Sequence, residues 1–530
     1  MKCEGYIMDK NYAELLENDL LEYGMVSDVF PKYFNSNGLS RIKFRKMAET
    51  KCATSPMGIN LLKPDGNNRV ISLPNPISYQ QCVRIIFEDT NCFKMVLDKI
   101  KNNPYSHSKI IAEDMLFNIP IKENASKFMD SLRDKMYLSI GSKYCLKYDI
   151  EKFYDNVYTH YLPAGLVGFS ESIAMYKQEK NASNEYTYMC NIDKAIRNLS
   201  NKETKGILTG PFVSRIFSEL LLSELDDEIR KELKNENFRR YIDDSVMYVN
   251  TLDEAERNIT LLKKVFQKYK LSLKMEKTQI KKIPFFDFDS LKSVINIRKN
   301  KNIDKKGWYL ASQDDFFEAI YKAEKMYKRG NKGALKYVLK VLKNQKNEYG
   351  INKDFMEKSN SFLYFLNYLI VYPQYANEIL SIVDKQIEYI KESKEILNTF
   401  LKNSILDNQE LVSLYIIQIL VKWNLEVEDD IIIDYIEKGE CNEILRATFL
   451  EYVCIHNAEQ KYDTIINAYK KRITGTNGID FSQDDWLNKY VLFYHDYIDE
   501  SEIVTQSNLV HNFKAYKQNN IKFINFDLIK

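Results

Sequence analysis

The chain has 530 residues, 45% of them apolar and 28% charged, with a net charge of +2. That is enough for about two to four domains and a large core, and the balance is that of a globular protein. Eight scattered cysteines without a Cys-x-x-Cys pair, and only five histidines, argue against a zinc site and for a reducing, cytoplasmic setting.

The N-terminus (MKCEGYIMDKNYAELLEND) turns acidic at once and does not read as a signal peptide. The most apolar stretches, such as 413–421, fall far short of the ~20 residues a bilayer needs, so no membrane partner is expected. The small net charge conceals an asymmetry. Residues 401–530 hold 13 basic against 21 acidic side chains, leaving 63 against 53 for residues 1–400. A nucleic-acid partner, if the chain has one, belongs on the first part.

In chain order, residues 1–50 read as helical. Leu15, Leu16 and Leu20 give an apolar face, and Arg41, Lys43, Arg45 and Lys46 close the stretch as a solvated basic cluster. Pro64-Asp65-Gly66-Asn67 then stands between two apolar runs, the pattern of a β-hairpin. It carries Lys63 on one arm and Arg69 on the other. Two cations across one hairpin can clamp a triphosphate, or can simply be two exposed charges on an edge. Residues 77–140 read as helices broken at Asn103-Pro104-Tyr105-Ser106. Residues 144–150 (YCLKYDI) read as a strand that delivers Asp149 at its end, beside a turn, where a metal ligand can be held rigidly.

Residues 165–205 read as a polar stretch of low periodicity. Gly206-Ile207-Leu208-Thr209-Gly210-Pro211 leads into an amphipathic helix from Phe212 to about Arg230, with Val213, Ile216, Phe217, Leu220 and Leu225 as its apolar face. Next, Phe238-Arg239-Arg240 and residues 245–249 read as strands, with Tyr241-Ile242-Asp243-Asp244 at the hairpin tip between them. Asp-Asp pairs also occur at 226–227, 314–315, 429–430 and 484–485, so it is the frame that sets this one apart. Like charges at a tight tip repel unless a cation sits between them, and Mg²⁺ prefers carboxylate and phosphate oxygens. The bland alternative is a solvated turn. Residues 253–270 read as an amphipathic helix, 271–278 as a short strand and turn, and 285–297 as a further β segment.

From about residue 310 the texture becomes amphipathic helices with short connections, over 313–328, 333–346, 356–371, 376–392, 395–403, 409–423, 429–437, 442–456, 458–472 and 484–498. No repeat of fixed period is present, so stacked helical pairs in a HEAT-like manner are the expected form. The division expected is residues 1–300 and residues 301–530. Transfer of a phosphoryl group by two metals needs carboxylates from separate strands at one point, with cations on the leaving phosphates. Asp149, Asp243 and Asp244 meet that requirement, and no other acidic cluster in the chain does.

The order of these pieces, Lys63…Arg69, YDIEKFYDN, GILTGPFVSR, YIDD and a lysine turn, resembles the fingers and palm of reverse transcriptases over roughly residues 40–300. The Gly-Pro form of GILTGPFVSR resembles the bacterial defence-associated enzymes of the abortive-infection (Abi-like) group. The fold implied is α+β, a right-hand polymerase palm and fingers followed by an all-α HEAT-like domain of residues 301–530. The function implied is antiphage defence by polymerising dNTPs into DNA, untemplated and primed on the protein itself in the Abi-like branch. Templating by a partner non-coding RNA is the alternative within the enzyme class. A non-catalytic nucleic-acid-binding scaffold is the alternative outside it, and the intact set of three acids favours the enzyme.

The resemblance also assigns roles. Asp149 and Asp243, with Asp244 close by, ligate two Mg²⁺ ions, Mn²⁺ being the substitute, and the backbone of Ile150 joins that site and faces the triphosphate. Lys63 and Arg69 neutralise the triphosphate, and Gly210 borders the nucleotide. Tyr154 lies under the sugar and excludes a 2′-hydroxyl, while Lys277 acts as a general acid toward pyrophosphate. The departures are Thr209, where templated enzymes carry Gln, and Lys274, where many relatives carry Asn. The partners implied are dNTPs, a single-stranded DNA product attached through a tyrosine, a non-coding RNA and further copies of the chain in a homo-oligomer.

Overall fold

The computed structural model describes residues 10–42, 53–62, 68–110, 133–283, 309–311, 313–328, 333–343, 349–351, 359–384, 391–439, 441–457, 460–474, 478–503 and 507–530. Lys63, most of the basic cluster after Arg41 and the β segment expected at 285–297 lie outside these residues.

Among the described residues, two small sheets carry the first half. Strands β1 (Met57–Leu62) and β2 (Asn68–Leu73) pair antiparallel with Leu61 opposite Arg69, as the turn signal between them requires. The second sheet has the order β4-β5-β3-β6, from β3 (Tyr144–Asp149), β4 (Phe238–Tyr241), β5 (Asp244–Val249) and β6 (Gln279–Lys282). All its pairings are antiparallel. Alternation along β3 and β5 sends Leu146, Tyr148, Met247 and Val249 into the core. The helix Phe212–Leu233 supplies much of the apolar surface of that core, and the helix Leu252–Lys268 packs beside it. The first of these follows Pro211 and stops where Lys234 turns left-handed at φ 51°. The second is capped by Thr251, whose side chain accepts from the Glu254 amide.

The reading of 165–205 is corrected by the structure. Helices Leu162–Val167, Phe169–Tyr176 and Asn184–Asn198 run through it. Its periodicity is diluted because polar side chains occupy much of the exposed surface while Tyr188, Met189, Ile192 and Ile196 make the buried stripe. Strand β6 was not foreseen either, since QIKK has no apolar alternation; it forms as an edge strand that β3 templates.

Most of the helices expected after residue 310 are present, among them Gln313–Lys328, Glu410–Lys422, Asp429–Glu437 and Glu443–Ile455. The helix Ser507–Gln518 was missed. The half is helical rather than strictly all-α, because β7 (Tyr309–Ala311) and β8 (Tyr349–Ile351) form a short parallel pair. Among the described residues no helix is long and apolar enough to cross a membrane.

Candidate active site

The tight register of the four-stranded sheet brings the acids together. Asp149 ends β3 directly opposite Asp244, the first residue of β5, and Tyr241 pairs with Asp244 across the β4–β5 hairpin. Ile242 and Asp243 therefore form a two-residue tip, which demands positive φ in its backbone; Ile242 supplies it at φ 56°. Asp149 is 3% exposed, and its Oδ1 is buried without a hydrogen-bond partner. Its Oδ2 accepts from Lys277 Nζ at 2.5 Å. Burial raises the Asp243 pKa, and the charges of Asp149 and Asp244 raise it further, while Arg69 pulls the other way. Burial works to lower the Lys277 pKa, but the hydrogen bond to Asp149 and the charges of the three aspartates outweigh it and hold the ammonium protonated.

A buried carboxylate oxygen without a donor, beside two further carboxylates that repel one another, is the donor set a hard divalent cation satisfies. Among the described residues no three acidic, thiol or imidazole groups stand in a ready-made chelate. The ammonium of Lys277 takes up one oxygen of Asp149, so the acids fit a cation that enters together with a phosphate ligand better than a closed protein cage.

The neighbouring residues arrange as follows. Ile150 bridges Leu273 through the flanking groups, Lys274 N–H to Asp149 C=O and Glu151 N–H to Ser272 C=O. In that antiparallel pattern its own amide groups face the opposite edge, toward the β5 side. Tyr154 is half-buried, set edge-on to Phe153 with centroids 5.6 Å apart. It hydrogen-bonds with Ser218 and lies near enough to feel Asp243, burial being the main cause of its raised pKa. Thr209 C=O accepts from Ser72 N–H at 2.7 Å, and Gly210 follows at φ 135°, where an added Cβ would meet Ser72 O at 2.8 Å. Gly210 thus holds the Gly-Pro turn against β2. A cavity of about 280 Å³ lies elsewhere, between β1 and the helical half; Asn60, Glu410, Tyr435 and Asn442 line it and none of these site residues does.

One group of residues at the site escaped the sequence reading. Arg240, 3% exposed, spends its five N–H donors on Asp226, Glu219 and the C=O of Ile242. Asn103 donates to Asp226, and Ser106 and Ser108 donate to Glu219. Segment 103–108 runs beside β4, with Arg240 N–H bonded to Tyr105 C=O and His107 N–H to Arg240 C=O. The available signal was acids within the apolar stretch of the 212–233 helix, which only a buried cation partner makes tolerable.

Residues 61–314 match the family described as Reverse transcriptase (RNA-dependent DNA polymerase). No curated protein matches the chain. Among solved structures, a telomerase from Candida tropicalis truncated from its C-terminal domain aligns at 14% identity and TM-score 0.30, over 46% of this chain and 52% of that one. The telomerase of Candida albicans in complex with a fragment of telomeric RNA aligns at 12% identity and TM-score 0.28, over 81% of this chain and 66% of that one. This chain thus spans about half the length of the first, and at such scores the likeness says nothing of what it binds.

Proposed function

We propose that this chain, which carries a reverse transcriptase domain and with it the activity of a DNA-polymerising nucleotidyltransferase, joins dNTPs without a template onto a hydroxyl of the protein itself, in an antiphage abortive-infection role. The observation that carries the chemistry is the convergence of Asp149, Asp243 and Asp244 with Lys277 and Arg69. The Gly-Pro form of residues 206–215, with Thr209 in place of Gln, supports untemplated synthesis and the abortive-infection assignment. The cytoplasmic setting and the homo-oligomer belong to the same proposal.

Reverse transcriptase domains use divalent ions, and a bound pair would acidify the attacking hydroxyl and neutralise charge on the leaving group. Asp149 and Asp243 are the residues to hold them, with Asp244 adjoining and the backbone of Ile150 alongside. The attacking hydroxyl loses its proton to water, its oxygen bonds to the α-phosphorus as the bond from that phosphorus to the bridging oxygen breaks, and pyrophosphate departs. Arg69, with Lys63, neutralises the triphosphate. Lys277 gives its proton to the departing pyrophosphate and is recharged from solvent. The Tyr154 ring fills the space beneath the sugar. Lys147 shares the sheet face of Asp149, as does Lys281 across β6, a basic floor suited to the product strand.

The test is incubation of purified protein with labelled dNTPs and Mg²⁺ without template, with Asp243→Ala as control. Label that stays on the polypeptide after denaturation, resists alkali and maps to one tyrosine supports the proposal. DNA made only with an added RNA and separable from protein supports the templated reading, which the family description favours. No incorporation under either condition, with nucleic acid still bound, leaves the scaffold.

A further inference from the structure

The YIDD tip is held by more than its own turn. Ile242 is β-branched, and the left-handed region disfavours such a side chain, yet it sits at φ 56° directly before Asp243. Both of its backbone polar groups are tied by side chains from elsewhere. Its N–H donates to Ser108 Oγ at 2.9 Å, and its C=O accepts from Arg240 Nη1 at 3.0 Å. Both partners are buried, Ser108 at 6% and Arg240 at 3% exposure. The Ser108 hydroxyl donates a hydrogen bond to Glu219 Oε2 at 3.1 Å, so its lone pair is oriented toward Ile242. Glu219 in turn takes both terminal nitrogens of Arg240, and Asp226 takes Nε and Nη2. The guanidinium has no spare donor and cannot swing away.

We propose that Ser108 and Arg240 are positioning residues for the metal-binding carboxylate of Asp243, clamping Ile242 in its left-handed conformation so that Asp243 faces Asp149. This rests on the two-metal reading of the aspartates. Outer partners that orient a metal ligand typically change metal affinity or activity by about 10- to 100-fold when removed. Ser108 is the cleaner probe, because Ser→Ala removes one oxygen and leaves every buried charge paired. Arg240→Lys keeps a cation but cannot reach Glu219, Asp226 and the Ile242 carbonyl together.

The experiment is Mn²⁺ binding by electron paramagnetic resonance on the full chain without nucleotide, alongside the Mg²⁺ dependence of dNTP incorporation. Ser108→Ala should weaken Mn²⁺ binding and raise the half-saturating Mg²⁺ about tenfold, with the KM for dNTP and the melting temperature close to wild type. Ser108→Thr, which restores the hydroxyl, should recover the metal affinity. Asp243→Ala should lose Mn²⁺ binding. If Asp243→Ala loses it while Ser108→Ala retains wild-type affinity and Mg²⁺ dependence, the clamp is wrong and the carboxylate reading stands. If Asp243→Ala binds Mn²⁺ like wild type, both fall. Should Arg240→Lys fail to fold, the Ser108 pair still decides.

Discussion

At the scale of single residues, the site is built against its own stability. An ordinary Asp titrates near 3.8, and Asp243 is raised above that by burial, by Asp149 and by Asp244. Without metal, folding therefore takes up a proton at this carboxyl. The penalty is absent below the unfolded value, accumulates as pH rises toward the folded pKa and is complete above it. Asp243→Asn should raise the metal-free melting temperature near neutral pH by roughly 2 °C, an advantage that disappears in acid and in saturating Mg²⁺. The same variant should incorporate dNTPs about 10³-fold more slowly. A melting temperature that drops at neutral pH would show that the charges are not in conflict. Tyr154→Ala should raise the ratio of rNTP to dNTP incorporation by about tenfold or more, and an unchanged ratio in a folded variant would remove the ring from the sugar site. The three aspartates were legible because carboxylates framed by strands are conspicuous in sequence. Ser108, Arg240 and Glu219 were not, because their partnership joins positions 111 and 132 residues apart from Ser108, and only folding shows that those charges are buried together.

At the scale of elements, turn chemistry and strand framing were the readable parts. The β1–β2 hairpin, the strand ending in Asp149 and the helix after Pro211 all formed where turn and cap residues placed them. The helices within 165–205 were hidden because folding buries polar as well as apolar positions there: Asp193 lies on the buried face of Asn184–Asn198 and is made tolerable by His160 and Arg197, a pairing the periodicity cannot show. The Gly-Pro turn shows why an element's position matters to the site. Gly210 sits at φ 135° with the Ser72 carbonyl against its α-carbon, so no side chain fits there. Gly210→Ala should cost about 1–3 kcal/mol and push the turn off β2. Since β2 carries Arg69, the KM for dNTP should rise while Mn²⁺ binding at the aspartates is kept. A variant with an unaltered KM would separate this turn from nucleotide binding.

At the scale of the molecule, the change of texture near residue 310 marks a change of architecture more than a break in packing. One continuous core runs through both halves. Tyr33 OH donates to Leu414 C=O at 3.0 Å and Tyr415 OH to Val29 C=O at 2.7 Å. Asn75 Nδ2 donates to Phe481 C=O at 2.8 Å, and Tyr516 OH to Gln80 Oε1 at 2.6 Å. A buried tyrosine brings a large apolar body and a hydroxyl that must find a partner, so each of the three tyrosine contacts fixes a helix of the second half to the first, and Asn75 ties in the turn at Phe481. Sequence periodicity reports that such a face is buried and is silent about what covers it. The physical consequence is cooperative unfolding of the two halves, because exposing either one strands buried hydroxyls and apolar surface on the other. The sequence provides separate reporters. All three tryptophans, Trp308, Trp423 and Trp486, lie in the second half, while the buried thiols of Cys82 and Cys145 lie in the first. In a denaturant series, tryptophan fluorescence and mass-resolved labelling of those two thiols should give coincident midpoints. Labelling at a denaturant concentration well below the fluorescence transition would show that the first half opens alone and that the shared core does not couple the halves.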